Sequence, residues 1–234
     1  VPVGTAIPLV IQVGKWRRQI KIPAVAACLE TALTDPNLTR LPRNQTEGDI
    51  PTIAITTGGA DSMACLPRSM GLDDSEFSTS AGTGRIHLFA GTDNTEGGAN
   101  DIATKAFAPE LNAGATLPPA TDLWATSDAL KAYDIVILSC EGGVMADAKP
   151  ATSRQALYDY ASLGGRVFAS HWHHIWFSGG PNPVPQVGTW RDRMEPMDPS
   201  VGTIDISFPK GQALAEWLVN VNASTTLGQM DIIQ

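Results

Sequence analysis

The sequence predicts an α/β protein: an open parallel sheet with helices on both faces, preceded by a short N-terminal β-strand segment. Three observations carry this. From residue 50 onward, short apolar runs alternate with stretches of helical periodicity. The runs are short enough for strands and close on glycine or small polar residues. Residues 1–23 instead alternate apolar and polar with a period of two.

In chain order, IPLVIQV and RRQIKIP flank Gly14-Lys15 and predict a hairpin over residues 1–23. Residues 24–49 lack periodicity and hold Pro36, Pro42 and Gly48, which predicts a linker or wrapping segment. IPTIAITTGGAD then reads as a buried strand ending in a glycine turn, and SMACLPRSMGL as a short helix disturbed by Pro67. RIHLFAG is a second strand. TSDALKAYD is a short helix with Ser127 as its N-cap, and YDIVILSCEGG is the clearest buried strand. TSRQALYDYASLGG aligns Ala156, Leu157, Tyr160 and Ala161 on one face and closes on Gly164. RVFAS is a further buried strand, followed by a Pro/Gly-rich loop over 177–202. TIDISF predicts another strand, and KGQALAEWLVNV a helix with Leu214, Trp217, Leu218 and Val221 in its stripe. The α/β domain is thus expected over residues 50–234.

A net charge of −8 spread along the chain argues against nucleic-acid binding, which needs a basic face. No apolar run approaches the ~20 residues of a membrane span. The chain opens at Val1 inside a strand-like run, which reads as an excerpt of a longer precursor. Abundant Gly, Pro, Ser and Thr with little Lys point to an extracellular or cell-surface setting. There Cys28 and Cys65 could pair, leaving Cys140 free.

The densest chemistry lies in GGRVFASHWHHIWF, residues 164–177, where a strand runs into His171, His173 and His174 interleaved with Trp172 and Trp176. Open α/β sheets bind ligands beyond the carboxyl ends of their strands. If the strand continues, His171 and His173 share a face; if a helical turn begins, His171 and His174 do. Either spacing permits two neutral imidazoles on a divalent metal such as zinc, with Glu141, Asp61 or His87 as a third ligand. Acid–base work and plain packing stand beside that reading. Cys140 could pair with a histidine across adjacent strand tips as an activated thiol, or simply end an apolar strand. Glu141 follows the strand where a pocket should open and suits a general base. Asp61 could bind a ligand or cap the following helix. Trp172 and Trp176, like Trp124 and Trp190, offer stacking surfaces or core.

The run D-I-V-I-L-S-C-E-G-G, a helix, and Y-x-x-L-G-G-R-V-F-A-S-H together resemble the ThuA-like branch of the class I glutamine amidotransferase-like superfamily, over residues 50–177. The resemblance implies a flavodoxin-like three-layer fold, continued by the helix near 211–221 and extending past Gln234. The opening VPVGTAIPLVIQVGKWRRQI resembles the last strands of a carboxypeptidase-regulatory-like β-sandwich, which precedes such domains in secreted bacterial proteins. In amidotransferases the nucleophilic cysteine stands at the tip of the strand matching RVFAS. Here His171 stands there, followed by bulky Trp172, so the resemblance implies that this is not a cysteine amidotransferase. Gly142 and Gly143 match the oxyanion loop, whose backbone N–H groups can cradle an anion.

Three functions follow as expectations: a strand-tip pocket for a small polar or carbohydrate-like ligand, with metal-assisted hydrolysis; a non-catalytic surface or adhesion module; or self-association through the N-terminal strand.

Overall fold

The computed structural model describes residues 3–61, 63–92, 105–190 and 200–232, and divides into two compact units, Val1–Gly188 and Thr189–Gln234. In the first unit the expected hairpin forms. β1 (Gly4–Val13) and β2 (Trp16–Val25) pair antiparallel around the Gly14-Lys15 turn, with Val13 opposite Trp16. The short β3 (Gly48–Asp49) adds to the free side of β2, and β1 stays at the edge.

The segment expected as a linker is tied down. Its α1 (Pro36–Thr39) is capped by Asp35, whose side chain accepts from the Asn37 N–H. Arg40 clasps Glu47 through two N–H···O contacts of 2.5 and 2.6 Å, which hold the Glu47 carboxyl down to about 2. Gln45 donates its backbone and side-chain N–H groups to Glu76, each at 2.9 Å.

The strands β4 (Ile53–Thr56), β5 (Phe77–Ser78), β6 (Ile86–Phe89), β7 (Ile135–Leu138) and β8 (Arg166–Ala169) form one parallel sheet in the order β5-β6-β4-β7-β8. All its pairings are parallel, as a flavodoxin-like α/β fold requires. Alternate side chains feed two cores. Ala54, Val136 and Leu138 pack with Leu130, Leu157, Tyr160 and Trp124. Ile53, Ile55 and Ile137 pack with Leu72, Phe77, Leu88 and Phe107. The first core lies under α3 (Ala120–Leu123), α4 (Ser127–Lys131), α5 (Ala151–Ser162) and α6 (Ile175–Ser178), whereas the second lies under short turns, α2 (Leu66–Ser69) and irregular chain.

Three local expectations change. The cap of α4 is Thr126, whose hydroxyl accepts the Ala129 N–H at 3.2 Å, while Ser127 is the first helical residue. On α5 the buried set is Ser153, Ala156, Leu157 and Tyr160, and Ala161 is exposed. That helix closes as predicted on Gly164, which takes a φ of 97° that a side chain would strain. β8 is an edge strand rather than a buried one, leaving Phe168 57% exposed.

The second unit holds β9 (Ser200–Thr203), α7 (Pro209–Asn220) and β10 (Gln229–Ile232). The strand expected at TIDISF is Ser200–Thr203 instead, and it pairs antiparallel with β10, outside the parallel sheet. Within the unit α7 buries Gly211, Ala215 and Leu218, while Leu214, Trp217 and Val221 are about half exposed.

Candidate functional site

In the parallel sheet the chain passes from β4 to β5 and β6 on one side and then crosses to β7 on the other. The crevice beyond the carboxyl ends of β4 and β7 is therefore the topological switch point, where ligands of such sheets bind. Three strand tips meet there: Thr57–Asp61 after β4, Ser139–Gly143 after β7, and Ser170-His171 after β8.

The first two tips lie against each other. The Ala60 N–H donates to the Cys140 carbonyl at 3.1 Å, and a Cβ on Gly58 would stand 2.1 Å from that same oxygen. Only glycine permits this approach. Asp61 then fastens all three. Its Oδ2 accepts the Cys140 backbone N–H at 2.8 Å and the Ser170 hydroxyl at 2.6 Å, while Oδ1 lies 3.4 Å from the Met63 N–H. Ligand contact and helix capping were both open for Asp61. Its stronger bonds go to neither, but to the tips of β7 and β8.

His171 takes φ = 37° at the elbow between β8 and the helical turn, a left-handed conformation that costs a β-carbon-bearing residue ~1–2 kcal/mol. The turn brings His171 Nδ1 to 3.3 Å from the Cys140 sulfur. The cysteine–histidine contact, one of the two readings open for Cys140, is present, and the other also holds in that Cys140 is buried (2% exposed) while His171 is on the surface. Trp172, half-buried, lies between His171 and His174 with centroid separations of 5.0 and 6.0 Å.

The other histidines go elsewhere. His173 is buried, accepts the Trp176 indole N–H at Nδ1 (2.9 Å) and directs Nε2 to the Ser139 carbonyl (2.7 Å). Both ring nitrogens are spent. Burial lowers its pKa, and the adjacent Glu141 charge only partly opposes this. His174 Nδ1 lies 3.2 Å from the Ser178 hydroxyl. His87 sits within β6, bonded to the Tyr133 hydroxyl and the Gly84 carbonyl, away from the strand tips. Among the described residues no three His, Cys, Asp or Glu side chains converge as metal ligands. For the zinc-like set of His171, His173 and His174 no such convergence is found: His173 is turned into the core with both ring nitrogens bonded, and Trp172 stands against the rings of both His171 and His174.

Glu141 is not at an open pocket. It is fully buried, accepting the Thr92 N–H at 2.7 Å and pairing with fully buried Lys149 at 2.5 Å. Lys149 also donates to the Val144 carbonyl and lies 5.6 Å from the centroid of the Trp124 ring. Trp124 and Trp176 stack edge to face in the core, so Trp176 is packing rather than a ligand platform. Gly142, with φ = 80°, and Gly143 form the turn between Glu141 and Val144. The residue that sequence reading missed here is Lys149; a single lysine in ADAKPA reads as solvent-facing.

The open space lies on the other side of Asp61. A cavity of about 350 Å³ has walls of Ala64, Phe77, Leu88, Phe107 and Leu111, with Thr57, Asp61, Arg68 and Glu110 as polar groups. No tryptophan lines it. Cys65, on its rim, and Cys28 are both exposed and free, so the expected disulfide between them does not form. Comparison with known proteins returns no matching family model, curated protein or solved structure.

Proposed function

We propose that the parallel-sheet unit is a ThuA-like domain, secreted or displayed on a cell surface, that holds a small polar or carbohydrate-like ligand beyond the carboxyl ends of β4 and β6. The observation that carries this is the ~350 Å³ cavity beside Asp61, apolar in its walls and bordered by Asp61, Glu110 and an Arg68 that also pairs with Asp74 and Glu110. That combination of size and lining is what small-molecule sites use. The apolar wall takes the body of the ligand, and Asp61, Arg68 and Glu110 orient its polar groups.

The test is a panel of monosaccharides, sugar acids and polyols read by thermal shift. A ligand at a hundred times its Kd raises stability by about 2.7 kcal/mol. Leu111→Trp, which fills the cavity, is expected to abolish the shift while the fold stays intact. Asp61→Asn, which removes the charge at nearly constant volume, is expected to weaken it. If no compound stabilises the wild type, or if Leu111→Trp binds as well, the pocket reading fails and a non-catalytic surface module becomes the better one.

A second reading rests on the 3.3 Å contact between Cys140 and His171. In it the thiol gives its proton to Nδ1 and the resulting thiolate is the nucleophile. Peptide-mapped alkylation with iodoacetamide is expected to modify Cys140 in the native protein, several-fold more slowly in His171→Gln. Labelling confined to the exposed Cys28 and Cys65 would make Cys140 a packing residue.

A further inference from the structure

The amino ends of the parallel strands carry a second concave surface, far from the cysteine and the histidine turn. It is a basin of about 660 Å³ where the β1–β2 turn meets the starts of β4, β6 and β7. Its charged lining is Lys15, Arg17, Arg85 and Lys131 against Asp49 and Asp134. In a chain of net charge −8 this is a local excess of two positive charges.

The carboxylates do not neutralise the arginines. Asp134 is occupied, pairing with Lys15 through one oxygen and accepting the Thr52 N–H through the other at 3.1 Å. Asp49 stands opposite Arg17 in the β2–β3 register, yet no ion pair joins them. Arg85 gives Nη1 to the Thr52 hydroxyl at 3.2 Å, and its Nε is buried with no hydrogen-bond partner. Among the described residues neither arginine forms a salt bridge. Lys131 pairs with Asp128, an exposed i,i+3 contact that holds it only weakly.

Two half-buried guanidinium groups without a carboxylate partner leave donors in this basin that an anion can complete. Guanidinium presents planar paired donors that match the oxygens of a phosphate group. A phosphate monoester carries about −1.5 to −2 charges at neutral pH, which balances the excess here. From these observations we infer that the amino-end basin binds a small phosphate-bearing molecule, with Arg17 and Arg85 contacting the phosphate oxygens and Lys15 and Lys131 adding attraction at longer range. This site is independent of the carboxyl-end pocket.

The test titrates the full chain with inorganic phosphate and with glycerol phosphate at low ionic strength, with glycerol as the uncharged control, followed by amide chemical shifts. Saturable shifts are expected around residues 15–17, 49–52 and 85, weakening as salt rises. Arg17→Gln, which removes the charge, and Arg85→Lys, which keeps the charge but loses the fork, should each weaken binding about tenfold, the value of one charge-assisted hydrogen bond. Tighter binding of glycerol phosphate than of phosphate would identify a monoester as the ligand, and equal binding the free anion. Absence of saturable shifts, equal binding in both variants, or shifts that map to Asp61 and Leu111 would each overturn the inference.

Discussion

Replacing Lys149 by methionine is expected to destabilise the parallel-sheet unit by about 3–5 kcal/mol, the cost of removing one partner from a buried ion pair. The lysine and Glu141 are both fully buried and 2.5 Å apart. Methionine keeps much of the apolar stem against Trp124 but leaves the Glu141 carboxylate with the Thr92 N–H and, at 3.9 Å, the ring of a neutral histidine. Burial pushes the Lys149 pKa down, and the Glu141 charge beside it pushes back. The attraction is thus partly spent on desolvating the ammonium. It follows that Lys149→Met/Glu141→Leu, which removes both charges, should recover most of the loss. Urea unfolding of the wild type, both single variants and the double variant measures this coupling. Single variants within ~1 kcal/mol of the wild type would mean that the pair is solvated in the native protein.

The second large effect is a loss of stability on mild acidification. His173 and His87 are both buried, and burial is the main cause that lowers each pKa from the ordinary 6.5. Carbonyl hydrogen bonds at Ser139 and Gly84 oppose the shift, and Glu141 also opposes it at His173. Below about pH 6.5 the unfolded chain takes up protons that the native rings still refuse. Stability is therefore complete above this value and falls as pH drops toward the lowered native pKa values. Each histidine contributes up to about 1.4 kcal/mol per pH unit. The paired Glu47 carboxyl, held at about 2, adds its own loss only at lower pH, as the solution falls through the unfolded glutamate value of about 4.3. The urea midpoint should thus decline from pH 7 to pH 5, and less steeply in His87→Gln. A midpoint that is flat or rises over that range contradicts neutral burial of these rings.

The parallel sheet was legible because its strands are short apolar runs, and IAIT, IHLF and IVIL need no partner to be recognised as buried. RVFA looks much the same as a string, yet it lies at the sheet edge, and strand order is not a property of the string. Of the candidate site, the sequence placed Cys140 and His171 at the ends of two neighbouring strand runs and left their contact as one of two readings, which the structure shows at 3.3 Å. The roles of Glu141, His173 and Trp176 were not legible. Glu141 meets the Thr92 N–H, His173 the Ser139 carbonyl and Trp176 the Trp124 ring, all far apart in sequence, and such partners are fixed only by packing. The cavity wall of Phe107 and Leu111 comes from a stretch with no periodicity to mark it. Of the stripe read on α7 at Leu214, Trp217, Leu218 and Val221 only Leu218 is buried, because the face that packs runs through the small residues Gly211 and Ala215, which apolar size does not mark.

Asp61 gives the crevice a resident competitor. The Cys140 N–H and the Ser170 hydroxyl are the donors an incoming anion would seek, and a tethered carboxylate already accepts from both. The tether gives that carboxylate a high effective concentration without any loss of translational freedom. A free anion at these two donors would have to displace it and also share space with its charge, which disfavours anions there. Erasing the Asp61 carboxylate would leave the Cys140 N–H and the Ser170 hydroxyl open to another acceptor.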